Sequence, residues 1–146
     1  MGSLIEVIRE PARRAAVLRD CESLIDAEVD DKGGLSGMAV KAAFRSVKSL
    51  RPDMIRMSMD ALLDDFAHQI DPFWQDCQRQ GENPRAYFLR RQVDLANALL
   101  TITDRRAQTS SHKVLVKAYS SLRGKAVEYI GAAMPRFSDL LVKHAS

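Results

Sequence analysis

"NPRAYFLRRQVDLANALLTITDRRA", residues 83–107, decides the fold class. Asn83-Pro84 reads as a helix start, with Asn as the cap and Pro as a first residue whose missing N–H costs nothing. From there Ala86, Leu89, Val93, Ala96, Leu100, Thr103 and Ala107 recur at spacings of three and four. Phe88, Leu95, Leu99 and Ile102 make a second stripe beside them. Wound at the helical period, the two stripes cover about half the circumference, more than a surface helix needs. The spacing predicts one long helix over about 84–107 in the middle of a bundle. Arg90, Asp94, Asn97, Thr101 and Asp104 fill the remaining lane. No stretch alternates with period two and β-branched enrichment, so the expected class is all-α.

The rest of the chain repeats the pattern. Ser3 is placed to cap a short helix carrying Leu4, Ile5 and Ile8. Pro11 starts a second, running to about Asp31, with Val17, Leu18, Cys21, Leu24 and Ile25 on one face. Lys32-Gly33-Gly34 ends it, and Ser36 caps the next, to about Leu50. Pro52 opens a helix to about Ile70. Asp71-Pro72 then reads as a fresh start through "FWQDCQRQ", stopped by Gly81. A loop at "QTSS" precedes a helix broken at Gly124, and Pro135 sets off a final amphipathic segment. The expectation is one domain over 1–146, a bundle of six to eight helices. "KAAFRSVKSLRP" (41–52) and "KVLVKAYSSLRG" (113–124) align without a gap, which suggests related helical hairpins over about 37–70 and 111–144.

At 146 residues the chain is long enough to bury a core, and 46% hydrophobic with 28% charged residues is ordinary globular composition. No apolar run approaches the ~20 residues of a membrane span. The opening "MGSLIEVIREPARR" has charges throughout and is not a signal peptide. Cys21 and Cys77 lack CxxC spacing and read as small buried hydrophobes in a reducing compartment, so a cytoplasmic location is expected. Residues 1–78 carry ten Lys and Arg against fourteen Asp and Glu; residues 79–146 carry twelve against five. Such halves suit internal packing or a symmetric pair, and a homodimer is expected. The lane Ser120, Gly124, Gly131 is small enough for another helix to approach.

"GGLSGMAVKAAF" (33–44) has the look of the second half of a helix-turn-helix. With Gly34 as the turn glycine, Asp30 stands where a small residue should and Gly33 where an apolar one should. Asp26, Glu28, Asp30 and Asp31 would face phosphates, and Gly37, Met38 and Ala39 offer nothing to read a base edge. DNA recognition is therefore not expected here.

Taken in order, "DKGGLSGMAVKAAF", "DPFW", "TDRRA", "SLRGKA" and "MPRFSDLLVKH" resemble a family of small, uncharacterised bacterial helical proteins. The resemblance covers nearly the whole chain. It implies a cytoplasmic helical domain and supplies no activity. Gly124 departs from it, since Pro would be expected after Ser-Leu-Arg.

Few constellations carry chemistry. Asp60, Asp64, His68 and Asp71 share one helical lane where a divalent cation could meet two or three of them. The apolar arc of Ile55, Met59, Leu62, Leu63, Phe66 and Ile70 lies almost opposite, so a solvated face is the expectation and no metal or other cofactor is assigned. His68, His112 and His144 sit in no HExxH motif or triad order, and no catalytic residue is proposed. Met38, Met54, Met57 and Met59, with Phe73 and Trp74, suit a core better than a ligand pocket. Arg90, Arg91, Arg105, Arg106, Lys113 and Lys117 are the candidates for an anionic partner, although a solvated or acid-paired surface fits them better. The reading is a non-enzymatic, self-associating interaction module with an unidentified protein partner. The alternative is a nucleic-acid or anionic-ligand binder that uses the basic second half.

Overall fold

The structure, a computed structural model, describes residues 3–145. Among them are nine helices and no strand: α1 (Leu4–Arg9), α2 (Pro11–Asp31), α3 (Gly34–Leu50), α4 (Met54–Gln80), α5 (Pro84–Arg90), α6 (Gln92–Thr109), α7 (Lys113–Arg123), α8 (Ala126–Ala132) and α9 (Met134–Ala145). The all-α bundle expected from the sequence is the fold observed. None of the described helices is long and apolar enough to cross a membrane.

Local chemistry explains most boundaries. The Ser3 hydroxyl accepts from the Glu6 N–H at the start of α1. The Glu10 carboxylate accepts from Ala12 and Arg13, with Pro11 as the first residue of α2. The Asn83 side chain accepts from Ala86 in the same way. Gly81 ends α4 in the left-handed region, at φ 62°, where a side chain would be strained. Gly34 does the same, at φ 68°, where α2 turns into α3.

The long helix expected over 84–107 is instead two, parted at Arg91, and the described residues form nine helices where six to eight were expected. No Gly or Pro breaks it. The side chain of Arg91 donates to the Tyr87 hydroxyl and to Asp94 and lies over the Phe73 ring, 5.0 Å from its centroid. These contacts hold Arg91 at φ −103°, ψ 16°. α5 then packs on α9, and α6 on α4 and α8. The bend also undoes the expected apolar stripe, because Leu89 and Val93 are left exposed.

At Asp71-Pro72 the opposite happens, and no new helix starts: α4 runs straight through. Leu63, Ala67, Ile70, Trp74 and Cys77 are buried at alternating spacings of four and three, one stripe spanning the proline. Burying Ile70 and Trp74 on a common face offsets the roughly 3 kcal/mol that an interior proline costs. Ser36 caps nothing either. Gly33 is the N-cap of α3, and the Ser36 hydroxyl bonds that of Tyr129 at 2.7 Å.

The main core gathers Leu4, Ile8, Val17, Leu18, Trp74, Tyr87, Phe88, Leu95, Met134 and Leu141. Phe88 stands edge-on to both Tyr87 and Phe137. A smaller cluster of Val47, Met54 and Ile55 is backed by Phe44, Leu115 and Ala118. There the two echoing segments lie in α3 and α7, which pack on each other.

Candidate functional site

The acidic lane is engaged in holding helices together. The Arg14 guanidinium on α2 donates to Asp60 and Asp64, both at 3.0 Å, and to the Asp60 carbonyl. Asp71 accepts the Leu4 backbone N–H at 2.9 Å, so it caps α1 from another helix. His68 is exposed on the same stretch. Among the described residues, no three His, Cys, Asp or Glu side chains gather as a metal would need.

Half of the basic candidates are likewise committed. Arg90 pairs with Glu82 at 2.8 Å and lies over the Tyr87 ring. Arg91 is held as described and reaches Asp76 at 3.7 Å. Arg106 donates to the Ala61 carbonyl. Arg105, Lys113 and Lys117 are exposed, and among the described residues they have no ion pair.

Part of the charge asymmetry between the halves is met inside one chain. Arg136 on α9 binds Glu28 and Asp31 on α2. Lys143 and His144 both reach Asp20, at 2.8 and 2.7 Å. Gly131, expected on a lane open to another chain, is buried against Gln92. Ser120 and Gly131 also belong to different helices, since Gly124 and Lys125 interrupt the segment.

Two half-buried hydroxyl networks tie helices together. Tyr87 donates to Asp76 at 2.7 Å, and burial together with that carboxylate pushes its pKa up to about 12. Tyr119 donates to Asp104, which Arg123 also binds at 2.8 Å; Arg123 first, then Tyr119, holds Asp104 below the usual carboxylate range. Both thiols are free, and burial raises Cys21 to about 11 and Cys77 in the same direction, so neither is an activated nucleophile.

Three features remain uncommitted. A pocket of about 180 Å³ lies among α1, α2, α4 and α9, walled almost wholly by carbon. A wider groove of about 500 Å³ lies where the start of α4 meets the end of α6 and the start of α7. Met54, Met57 and Leu115 are among its apolar residues, and Arg106 and His112 among its polar ones. Finally, α3 carries an apolar stripe that none of the other described residues covers. Leu35 is 85% and Met38 68% exposed, and Ala39 and Ala42 continue the line at i+4 and i+7. Hydropathy could have flagged that stripe. Met38 and Met57, expected in the core, are on the surface; the buried face of α3 is Gly37, Val40, Ala43 and Val47 instead.

The family model for a family of unknown function (DUF6918) matches residues 4–145, and the chain belongs to that family. No curated protein and no solved structure matches it.

Proposed function

From membership of a family with no assigned activity and from the geometry above, we propose that this chain is a non-enzymatic interaction module that pairs with a second copy of itself through α3. The exposed stripe Leu35, Met38, Ala39, Ala42 carries the reading. Solvent-facing Leu and Met in line on one helix are a surface that gains by being covered. The same lane continues through Ser46 and Ser49, both exposed. Its two bulky residues therefore stand at one end and its small ones at the other. An antiparallel, two-fold pair of α3 helices sets the bulky end of each over the small end of its partner. That is the self-complementarity a symmetric interface requires. A cytoplasmic setting belongs to the same reading and is supported by the two free thiols.

Sedimentation of the wild-type chain and of the double variant Leu35→Glu, Met38→Glu tests this. The expectation is a wild-type dimer indifferent to salt, because the stripe that pairs is apolar, and a monomeric variant with unchanged helicity. A wild-type monomer at high protein concentration, or a variant that still pairs, contradicts it.

The exposed Arg105, Lys113 and Lys117 favour one other reading, the binding of a polyanion at the start of α7. Retention on a polyanion column that collapses with salt, and is lost on replacing Lys113 and Lys117 with Gln, would support it.

A further inference from the structure

We propose that the pocket among α1, α2, α4 and α9 is a binding site for a small, uncharged apolar molecule, a single aromatic ring or a short alkyl chain. Small-molecule sites are concave and lined mostly by hydrophobic and aromatic side chains. This one measures about 180 Å³. An apolar cavity of ~150 Å³ stays dry and takes up benzene. The size thus sets the ligand at one ring or a chain of comparable bulk.

The walls set its chemistry. Val17, Leu63, Phe66, Ala67 and Phe137 present only carbon. Among the described residues, the polar side chains that reach the pocket are Cys21 and His144. The His144 Nε2 is already held by Asp20 at 2.7 Å, and Lys143 is turned to the same carboxylate. The Cys21 thiol stays protonated, because burial raises its pKa. Among the described residues, no uncommitted charge lines the pocket to balance an ionic ligand. The pocket is open to solvent on one side, and α1 forms part of its wall. This six-residue helix contributes Leu4 and Ile8 to the wall and ends in extended backbone at Glu10. The Leu4 N–H bond to Asp71 pins its far end.

The test titrates the full chain with benzene, n-hexane and hexanoate, read by methyl NMR and by the thermal midpoint. Benzene and hexane should shift the methyl signals of Val17, Leu63 and Ile70 saturably and raise the midpoint. Hexanoate should bind at least about tenfold more weakly than hexane, because its charge finds no partner. Ala67→Met, which fills the pocket from α4, should abolish the apolar shifts. Cys21→Met, which fills it from α2, serves the same purpose if the first variant does not fold. The proposal is overturned if neither apolar probe gives saturable shifts in the wild type, if a folded filled variant binds as well as the wild type, or if hexanoate matches hexane.

Discussion

The His144 Nε2 lies 2.7 Å from Asp20 Oδ2, a contact that joins the last helix to the second across 124 residues of sequence. Lys143 shares the same carboxylate. Lys143 first, then His144, holds the Asp20 carboxyl below its ordinary 3.8. A pKa depressed by folding contributes stability that is complete above the unfolded value and is lost as pH falls through the folded one. Asp76, Asp104 and Asp139 shift in the same direction. The protein should therefore hold its stability down to the carboxylate range and lose it steeply below about pH 4. Asp20→Asn should lower stability at neutral pH and flatten that acid loss. Urea midpoints at pH 7 and pH 3 measure both, and an unchanged difference between the two pH values in the variant would rule the coupling out.

Leu95 is fully buried, while Leu99 is only partly so and borders the pocket. Leu95→Ala should cost about 2–5 kcal/mol. Leu99→Ala should cost less, since the space beside it is already loosely filled. Denaturant unfolding that ranks the two the other way would contradict the burial assignment.

Glycines 37 and 124 should respond oppositely to alanine. A Cβ on Gly37 would come within 2.5 Å of the Lys32 carbonyl oxygen, a backbone atom that cannot step aside. Gly37→Ala should therefore destabilise by at least about 1–3 kcal/mol. Gly124 sits in right-handed helical backbone with nothing within 4 Å of the added carbon. Gly124→Ala should stabilise by about 0.4–1 kcal/mol through the unfolded chain. Thermal midpoints that move in the same direction for both would refute this.

Asp64 and Asp71 read alike in the sequence and should differ in the protein. Asp64 is an exposed partner of Arg14, and its loss should cost less than about 0.5 kcal/mol. Asp71 receives the first N–H of α1, so Asp71→Ala should cost about 1 kcal/mol, as the loss of a cap does. Amide exchange at Leu4 should speed up in the Asp71 variant alone. Slow exchange there in both variants would exclude the capping role.

Helix content, the absence of strand pattern and most helix ends were determined by the sequence, because caps, prolines and glycines act within a few residues of themselves. Ser3, Glu10-Pro11, Gly81 and Asn83-Pro84 stand at helix ends for that reason. The places where local rules failed are those where a distant helix outweighs a local preference. Pro72 stays inside α4 because Ile70 and Trp74 bury on one face, and Arg91 bends a good helical run because Tyr87, Phe73 and Asp94 hold its side chain. The binding features divide the same way. Lane and stripe memberships were readable, but not which carboxylate meets which cation, since partners such as Arg136 and Glu28 lie 108 residues apart. The pocket has no sequence signature at all. It is bounded by side chains from separate helices, and its volume depends on how closely they approach, which the packing of the whole chain sets and no single segment encodes.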